Sequence, residues 1–233
     1  MSVNITPIGQ IITPFHQKFG IPRQGAGLSK AKGKIEFNQH INAELACEGI
    51  EQFSHLWVLF LFHENIHKGW TERVRPPRLG GNQKVGVFAT RSSFRPNNIG
   101  MSVVKLLEIK DNCLIVEGVD MLTNTPIIDI KPYVDYADHI ANACSGFAQE
   151  PPQPSLQLIY SDSASEQMLN ITQSHCDLPE LLENTLRHDP RPAYKKAKVD
   201  PKLYHLRLYD IDIAFSIDGT KALIHSLNPL NIE

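Results

Sequence analysis

Along the chain, apolar positions come in short runs separated by Gly, Pro, Asn and Asp, a spacing that predicts many strands and little helix. The longest run is Leu56–Phe62, LWVLFLF, predicted as a strand buried on both faces and central to the core. Lys84–Thr90, KVGVFAT, has the Val and Phe content of a second buried strand. Ile5–Ile12 is a first strand whose Pro7 places it at a sheet edge or at the strand's start. Thr13–Lys34 is predicted as a loop, and Ile41–Ile50 as a short helix with Gly49 near its end. Met101–Ile109 and Cys113–Val119 form a hairpin across Lys110-Asp111-Asn112, and Asp120–Tyr133 is a polar turn leading into the strand IIDI.

Pro151-Pro152-Gln153-Pro154 interrupts this pattern with a stiff connector. Beyond it, Ser163-x-x-Glu166 has the form of a capping box opening a helix that runs to about His175, and Leu178–Arg187 is a second helix. Leu203–Ile217 and Ala222–Leu227, parted around Asp218-Gly219, form a hairpin. The expected fold is mainly β. A small antiparallel β-barrel occupies residues 1–150, a Pro-rich linker 151–154, and a smaller α+β C-terminal domain 155–233.

Composition adds bounds. A chain of 233 residues with 42% hydrophobic and 21% charged residues can bury a substantial core. Its formal net charge of -2 argues against indiscriminate nucleic-acid binding and leaves room for a local basic face. Such a face is expected between Lys68 and Arg95, where Lys68, Arg73, Arg75, Arg78, Lys84, Arg91 and Arg95 meet a single acid, Glu72. Cys47, Cys113, Cys144 and Cys176 are scattered, without a CxxC pair or a leader ahead of them, which predicts reduced thiols in a cytoplasmic protein. No apolar run approaches membrane-spanning length.

The candidate chemistry lies where strand character gives way to polar loops. Arg91 and Arg95, four residues apart beside a Pro-Asn turn, suit an anionic group, because each guanidinium is permanently charged and offers a rigid fork of donors. The loop GIPRQGAGLSKAKG has the glycines and cations of a segment whose backbone approaches a ligand. His63-Glu64-Asn65-Ile66-His67 matches the HExxH zinc-peptidase motif, which works only on a helix that puts both histidines on one face. Here it follows a strand and meets Gly69, so no metal site is expected, and His63 and Glu64 are placed at a strand end. In the second unit, His188-Asp189-Pro190-Arg191-Pro192-Ala193-Tyr194-Lys195-Lys196 combines a carboxylate, an aromatic and cations, equipment for a polyanion carrying bases. A zinc hydrolase and a noncatalytic RNA-binding barrel are the rival readings, separable by metal content and by assay for a modified product.

TRSSFRPNNIG, preceded by VRPPRLGGN and KVGVFA, with GIPRQ upstream and DIKPY and DPRPAY downstream, resembles the TrmO family in its bacterial two-domain form. The resemblance covers nearly the whole chain. One departure is Asn98, where a proline often stands, and the substitution is expected to loosen that turn. The resemblance implies an S-adenosyl-L-methionine-dependent tRNA methyltransferase built on a β-barrel in place of a Rossmann sheet, needing no metal and acting as a homodimer. Its implied substrate is tRNA bearing N6-threonylcarbamoyladenosine (t6A) just 3′ of the anticodon, and its product is m6t6A. Carried onto this sequence, the cofactor would touch Gln24, Gly25, Ala26, His63, Glu64, Arg91, Met101, Leu122, Thr123, Asn124 and Thr125. Arg95, Asp189, Arg191, Tyr194 and Lys195 would meet the substrate. A nitrogen beside a carbonyl is a poor nucleophile until its proton leaves or is shared, which leaves room for a base beside positioning and electrostatics. Asp189, Tyr194 and Glu64 are the candidates.

Overall fold

The computed structural model describes residues 3–25, 27–191, 196 and 200–230. Its strands in chain order are β1 (Gly9–Ile12), β2 (Lys32–Phe37), β3 (His55–Leu61), β4 (Arg73–Val74), β5 (Val85–Gly86), β6 (Ile99–Lys110), β7 (Cys113–Glu117), β8 (Thr125–Pro132), β9 (Gln157–Tyr160), β10 (Asp200–Leu208), β11 (Ile211–Asp218) and β12 (Lys221–Pro229). The α-helices are α1 (Ala43–Ala46), α2 (Asp135–Asp138), α3 (Asp162–Ile171) and α4 (Leu178–Leu186).

Six strands close an antiparallel barrel in the order β1-β2-β7-β6-β3-β8, with β1 pairing both β2 and β8. Closure follows from alternation. On β3, Leu56, Val58 and Phe60 point into the core while His55, Trp57, Leu59 and Leu61 are only half-buried. The strand thus has one inner and one outer face, which corrects the expectation of burial on both. Ile11, Ile35, Val104, Leu114, Val116 and Ile127 complete the interior. The β6–β7 hairpin forms as expected, with Asp111 and Asn112 both left-handed (φ 48° and 62°), as a two-residue turn matching strand twist requires.

Strand β2 begins at Lys32, inside the Thr13–Lys34 segment expected to be a loop, and runs past it. Its cations and Glu36 lie on the outer face, where Lys34 Nζ stands 2.9 Å from Glu36 Oε1, and Gly33 and Ile35 face inward. Strand β1 starts only at Gly9, beyond Pro7, and a closed barrel leaves it no edge. Lys84–Thr90 is not a buried strand. Val85–Gly86 pairs only with Arg73–Val74, outside the barrel, and a 3-10 turn at Val87–Ala89 follows, leaving Phe88 77% exposed. The expected helix at Ile41–Ile50 shrinks to α1, ended short of Gly49 (φ 86°).

After residue 154 a four-stranded sheet, β10-β11-β12-β9, packs against α3, and α4 adds Leu178, Leu181, Leu182 and Leu186 to the core. The cap of α3 is Ser161, whose Oγ accepts from Ala164 N at 3.1 Å, two residues before the expected cap at Ser163. The apolar stretch Leu203–Ile217 is two strands, because Tyr209 adopts φ 54° and turns the chain.

One apolar cluster runs through both parts. Phe15 bridges to Leu208, Tyr209 N–H donates to Pro14 O at 2.8 Å, and Phe19 stacks on Tyr204 and Phe215 at centroid distances of 5.9 and 6.3 Å. The loop between β1 and β2 is therefore wedged between barrel and second sheet, and this fixes the position of Gln24.

Candidate functional site

Past Phe19 the loop turns back over one end of the barrel, where Pro22, Arg23 and Gln24 form one wall of a cavity of about 540 Å³. Phe60 and Phe62 from the end of β3, Ile99 to Ser102 from the start of β6, Thr90, Arg91, Ser93 and Arg95 from the preceding loop, and Asp120 beyond β7 supply the rest. Glycine makes the assembly possible at two points. A Cβ on Gly25 would sit 1.9 Å from Gly118 O, and one on Gly100 would sit 2.4 Å from the Phe60 ring.

Asp120 is the carboxylate of this cavity. Ser102 Oγ donates to its Oδ1 at 2.7 Å and Gly25 N–H donates to its Oδ2 at 3.1 Å, joining β6, the β7 exit and the glycine loop in one small network. Burial raises its pKa above the ordinary carboxylate value, against the opposing pull of Ser102, backbone N–H groups and the Arg91 charge. Opposite it, Arg91 Nη1 donates to Gln24 Oε1 at 2.6 Å, so one guanidinium spans two walls. Arg95 Nη1 turns back to Thr90 O and Ser92 O at 3.2 and 3.4 Å and shapes the loop that carries it. Arg23 has its pKa lowered by burial and then by Arg78, with Asp189 acting the other way.

The loop is anchored from beneath by Asn65. Its side chain is buried, accepts from Lys18 Nζ at 2.7 Å and donates to Ser93 Oγ on the cavity wall. Asn98 holds φ 50°, a conformation closed to proline, with its side-chain amide donating to Ser93 O at 3.1 Å and its carbonyl accepting from Phe62 N at 2.8 Å. Asn98 thus pins the turn it was expected to loosen.

The cavity brings together Gln24, Arg91, Met101 and Arg95 of the predicted residues, with Gly25 touching it through Asp120. His63 and Glu64 lie outside its lining, on a 3-10 helix spanning His63–Lys68. On such a helix residues four apart are rotated by about 120°, so His63 and His67 do not share a face as HExxH chemistry requires. Among the described residues no cluster of three or more His, Cys, Asp or Glu side chains has metal-binding geometry. Leu122 to Thr125 brace the barrel. Thr123 N–H donates to Phe15 O and Asn124 N–H to Ile11 O, both at 2.8 Å, while Thr13 N–H donates to Thr123 Oγ1 at 3.2 Å.

In the second unit, Asp189 and Arg191 are 3% and 2% exposed and bind each other through Nε–Oδ1 at 3.0 Å and Nη2–Oδ2 at 2.9 Å. Their charges are spent internally, which corrects the expectation that both present themselves to a polyanion and that Asp189 is free to act as a base. Ala26, Tyr194 and Lys195 lie outside the described residues. Sequence reasoning missed Asp120, Ser102, Arg23, Phe60 and Asn65. The one available signal was Asp120 itself, a lone carboxylate between the apolar Val119 and Met121.

Two family models match the chain: the tRNA-methyltransferase O N-terminal domain over residues 10–139 and the TrmO C-terminal domain over residues 153–230. A tRNA (adenine(37)-N6)-methyltransferase of Escherichia coli K12 is 38% identical over 232 residues, 98% of this chain and 99% of that protein. A putative S-adenosylmethionine-dependent methyltransferase of Pseudomonas aeruginosa is 44% identical over 214 residues, 91% of this chain and 92% of its own. The crystal structure of TrmO from Pseudomonas aeruginosa superposes with a TM-score of 0.82 at 35% identity, covering 98% of this chain and 99% of that one.

Proposed function

The chain belongs to the tRNA-methyltransferase O family, S-adenosylmethionine-dependent enzymes that methylate N6 of adenine 37 in tRNA, and from that premise we propose that the barrel-end cavity is where the methyl group is transferred to t6A. The observation that carries the site assignment is the pairing of charges in one enclosure: the Arg91 guanidinium against Gln24 on one side and the mostly buried Asp120 on the other.

The cavity's donor set fits the cofactor. S-adenosylmethionine carries a carboxylate, an ammonium, a sulfonium, ribose hydroxyls and an adenine, and it supplies an activated methyl group whose leaving group is a neutral thioether. Arg91 matches the carboxylate, Gln24 and the Gly25 backbone suit polar edges, and Phe60, Phe62 and Met101 offer the apolar wall that an adenine or methyl sulfonium needs. The volume of about 540 Å³ lies within the range of small-molecule sites. His63, Glu64 and the Leu122–Thr125 turn lie outside this lining and take no direct cofactor contact in this reading.

Methyl transfer asks the protein mainly for alignment and water exclusion. The loop bearing Gln24 is immobilised by the Phe15 and Phe19 seam, and the Arg91–Arg95 loop by Asn65 and Asn98, so the two walls hold their spacing. Arg95 is assigned to the substrate side, where a guanidinium suits the threonyl carboxylate of t6A or an anticodon-loop phosphate. In this reading residues 1–150 hold the cofactor and residues 155–233 contact the tRNA, Tyr194 and Lys195 among them.

The reading places the enzyme in the cytoplasm as a homodimer. Support for the compartment is four unpaired cysteines, and support for a second copy is the exposed apolar rim of Ile66, Trp70, Phe88 and Phe94. Among the described residues no helix is long and apolar enough to cross a membrane. The test is nucleoside mass spectrometry of tRNA incubated with the protein and S-adenosylmethionine, with and without t6A. Conversion of t6A to m6t6A at position 37, falling steeply with salt, is expected. Equal methylation of tRNA lacking t6A would overturn the substrate assignment.

A further inference from the structure

We propose that Asp120 is the catalytic base, accepting the proton that leaves the target adenine's exocyclic nitrogen as that nitrogen takes the methyl group. The proposal rests on the cavity being the methyl-transfer site. Methylation of an N–H nitrogen forms an N–C bond and breaks the C–S bond, whose electron pair returns to sulfur. The nitrogen's proton must then go to an acceptor, and Asp120 takes it at a carboxylate oxygen.

Among the described lining residues only Asp120 can do this. Arg23, Arg91 and Arg95 are permanently protonated, Thr90, Ser93 and Ser102 offer only weakly basic hydroxyls, and the remaining walls are aromatic, aliphatic or amide. Two of the three candidates read from sequence are placed elsewhere, Asp189 locked onto Arg191 and Glu64 outside the lining, and Tyr194 lies outside the described residues.

The surroundings suit the role. Ser102 Oγ at 2.7 Å on Oδ1, Gly25 N–H at 3.1 Å on Oδ2 and the residue's own backbone N–H fix the carboxylate plane, and a carboxylate's roughly four lone-pair sites leave one for an incoming N–H. Burial makes this carboxylate more basic than an exposed one, and Ser102, Gly25 and the Arg91 charge oppose that rise. The same Gly25–Asp120 bond ties the base to the loop carrying Gln24, so a cofactor-gripping wall and the proton acceptor move as one body.

Two variants test this. Asp120→Asn keeps the shape, and its amide can still accept from Gly25 and donate to Ser102. Its calorimetric affinity for S-adenosylmethionine should stay within about threefold of the parent, while methyl transfer at saturating cofactor falls about 10²–10⁴-fold. Ser102→Ala removes a bond that lowers the Asp120 pKa, so the acid limb of the pH–rate profile should move to higher pH. Transfer by Asp120→Asn at the parent rate would overturn the proposal, and weakened cofactor binding beside it would make Asp120 a cofactor-holding carboxylate. An acid limb unmoved in Ser102→Ala would overturn it too, whether or not Asp120→Asn folds. A parent protein that methylates no tRNA would sink the site's assignment, a result distinct from either.

Discussion

Arg91 and Gln24 meet at 2.6 Å across 67 residues of sequence, closing the cavity from two loops that share no secondary structure. Removing a charge-assisted partner of a bound carboxylate typically costs about 1.5–3 kcal/mol. Arg91→Ala should therefore weaken S-adenosylmethionine binding roughly 10- to 150-fold with little change in Tm. Isothermal calorimetry on the folded variant decides it, and unchanged affinity would remove Arg91 from the cofactor wall.

Gly25→Ala is expected to be far more damaging than a surface methyl group would suggest. The new Cβ meets Gly118 O at 1.9 Å, so the loop must lift away and take the donor to Asp120 with it. Overpacking of this kind costs about 1–3 kcal/mol. Cofactor affinity and Tm should fall together, and a variant with parent values of both would show that the close approach is dispensable.

Asp120 also makes stability depend on pH. Its folded pKa is raised, so the folded state holds the proton more tightly than the unfolded chain does. The penalty is absent below the unfolded carboxylate value, grows as pH rises through the window up to the raised value, and is complete above it. Asp120→Asn should thus raise Tm at pH 7–8 and leave it unchanged near pH 3, by calorimetric scans without cofactor. A gain of the same size at both pH values would contradict the shift.

The seam predicts coupling between the two halves. Phe19 stacks on Tyr204 and Phe215 while its loop carries Gln24 into the site. Phe19→Ala, far from any cofactor contact, should lower both stability and S-adenosylmethionine affinity. A chain ended near Gln149 should lose cofactor binding as well, since Phe15 loses Leu208 and Phe19 loses Tyr204 and Phe215. Retained affinity in that fragment, measured alongside circular dichroism, would show that the loop holds its shape unaided.

His67→Ala should leave cofactor affinity, tRNA methylation and Tm near parent values, since the exposed His67 sits on a 3-10 helix with no shared face with His63. Stoichiometric zinc by elemental analysis, lost with activity in His63→Ala and His67→Ala, would revive the metal reading.

What the sequence determined by itself was local. The β6–β7 hairpin was legible because Asp111-Asn112 tolerates the left-handed turn that two short apolar runs need, and α4 because its leucines recur on one face. The arginine loop was legible as a charged segment beside a turn, and the cavity is lined by both Arg91 and Arg95. Strand β2 was hidden by its own outer face, whose lysines look like loop until Gly33 and Ile35 are seen pointing inward. Lys84–Thr90 failed the opposite way, because Val and Phe fix only a preference for burial, and no barrel neighbour was left for it to pair with. Tertiary structure alone decided the site. Barrel closure brings Gly25, Ser102 and Asp120 together from positions up to 95 residues apart, and packing in the second unit buries Asp189 against Arg191. Burial and proximity set the protonation and reach of each group, and neither exists until the chain has closed on itself.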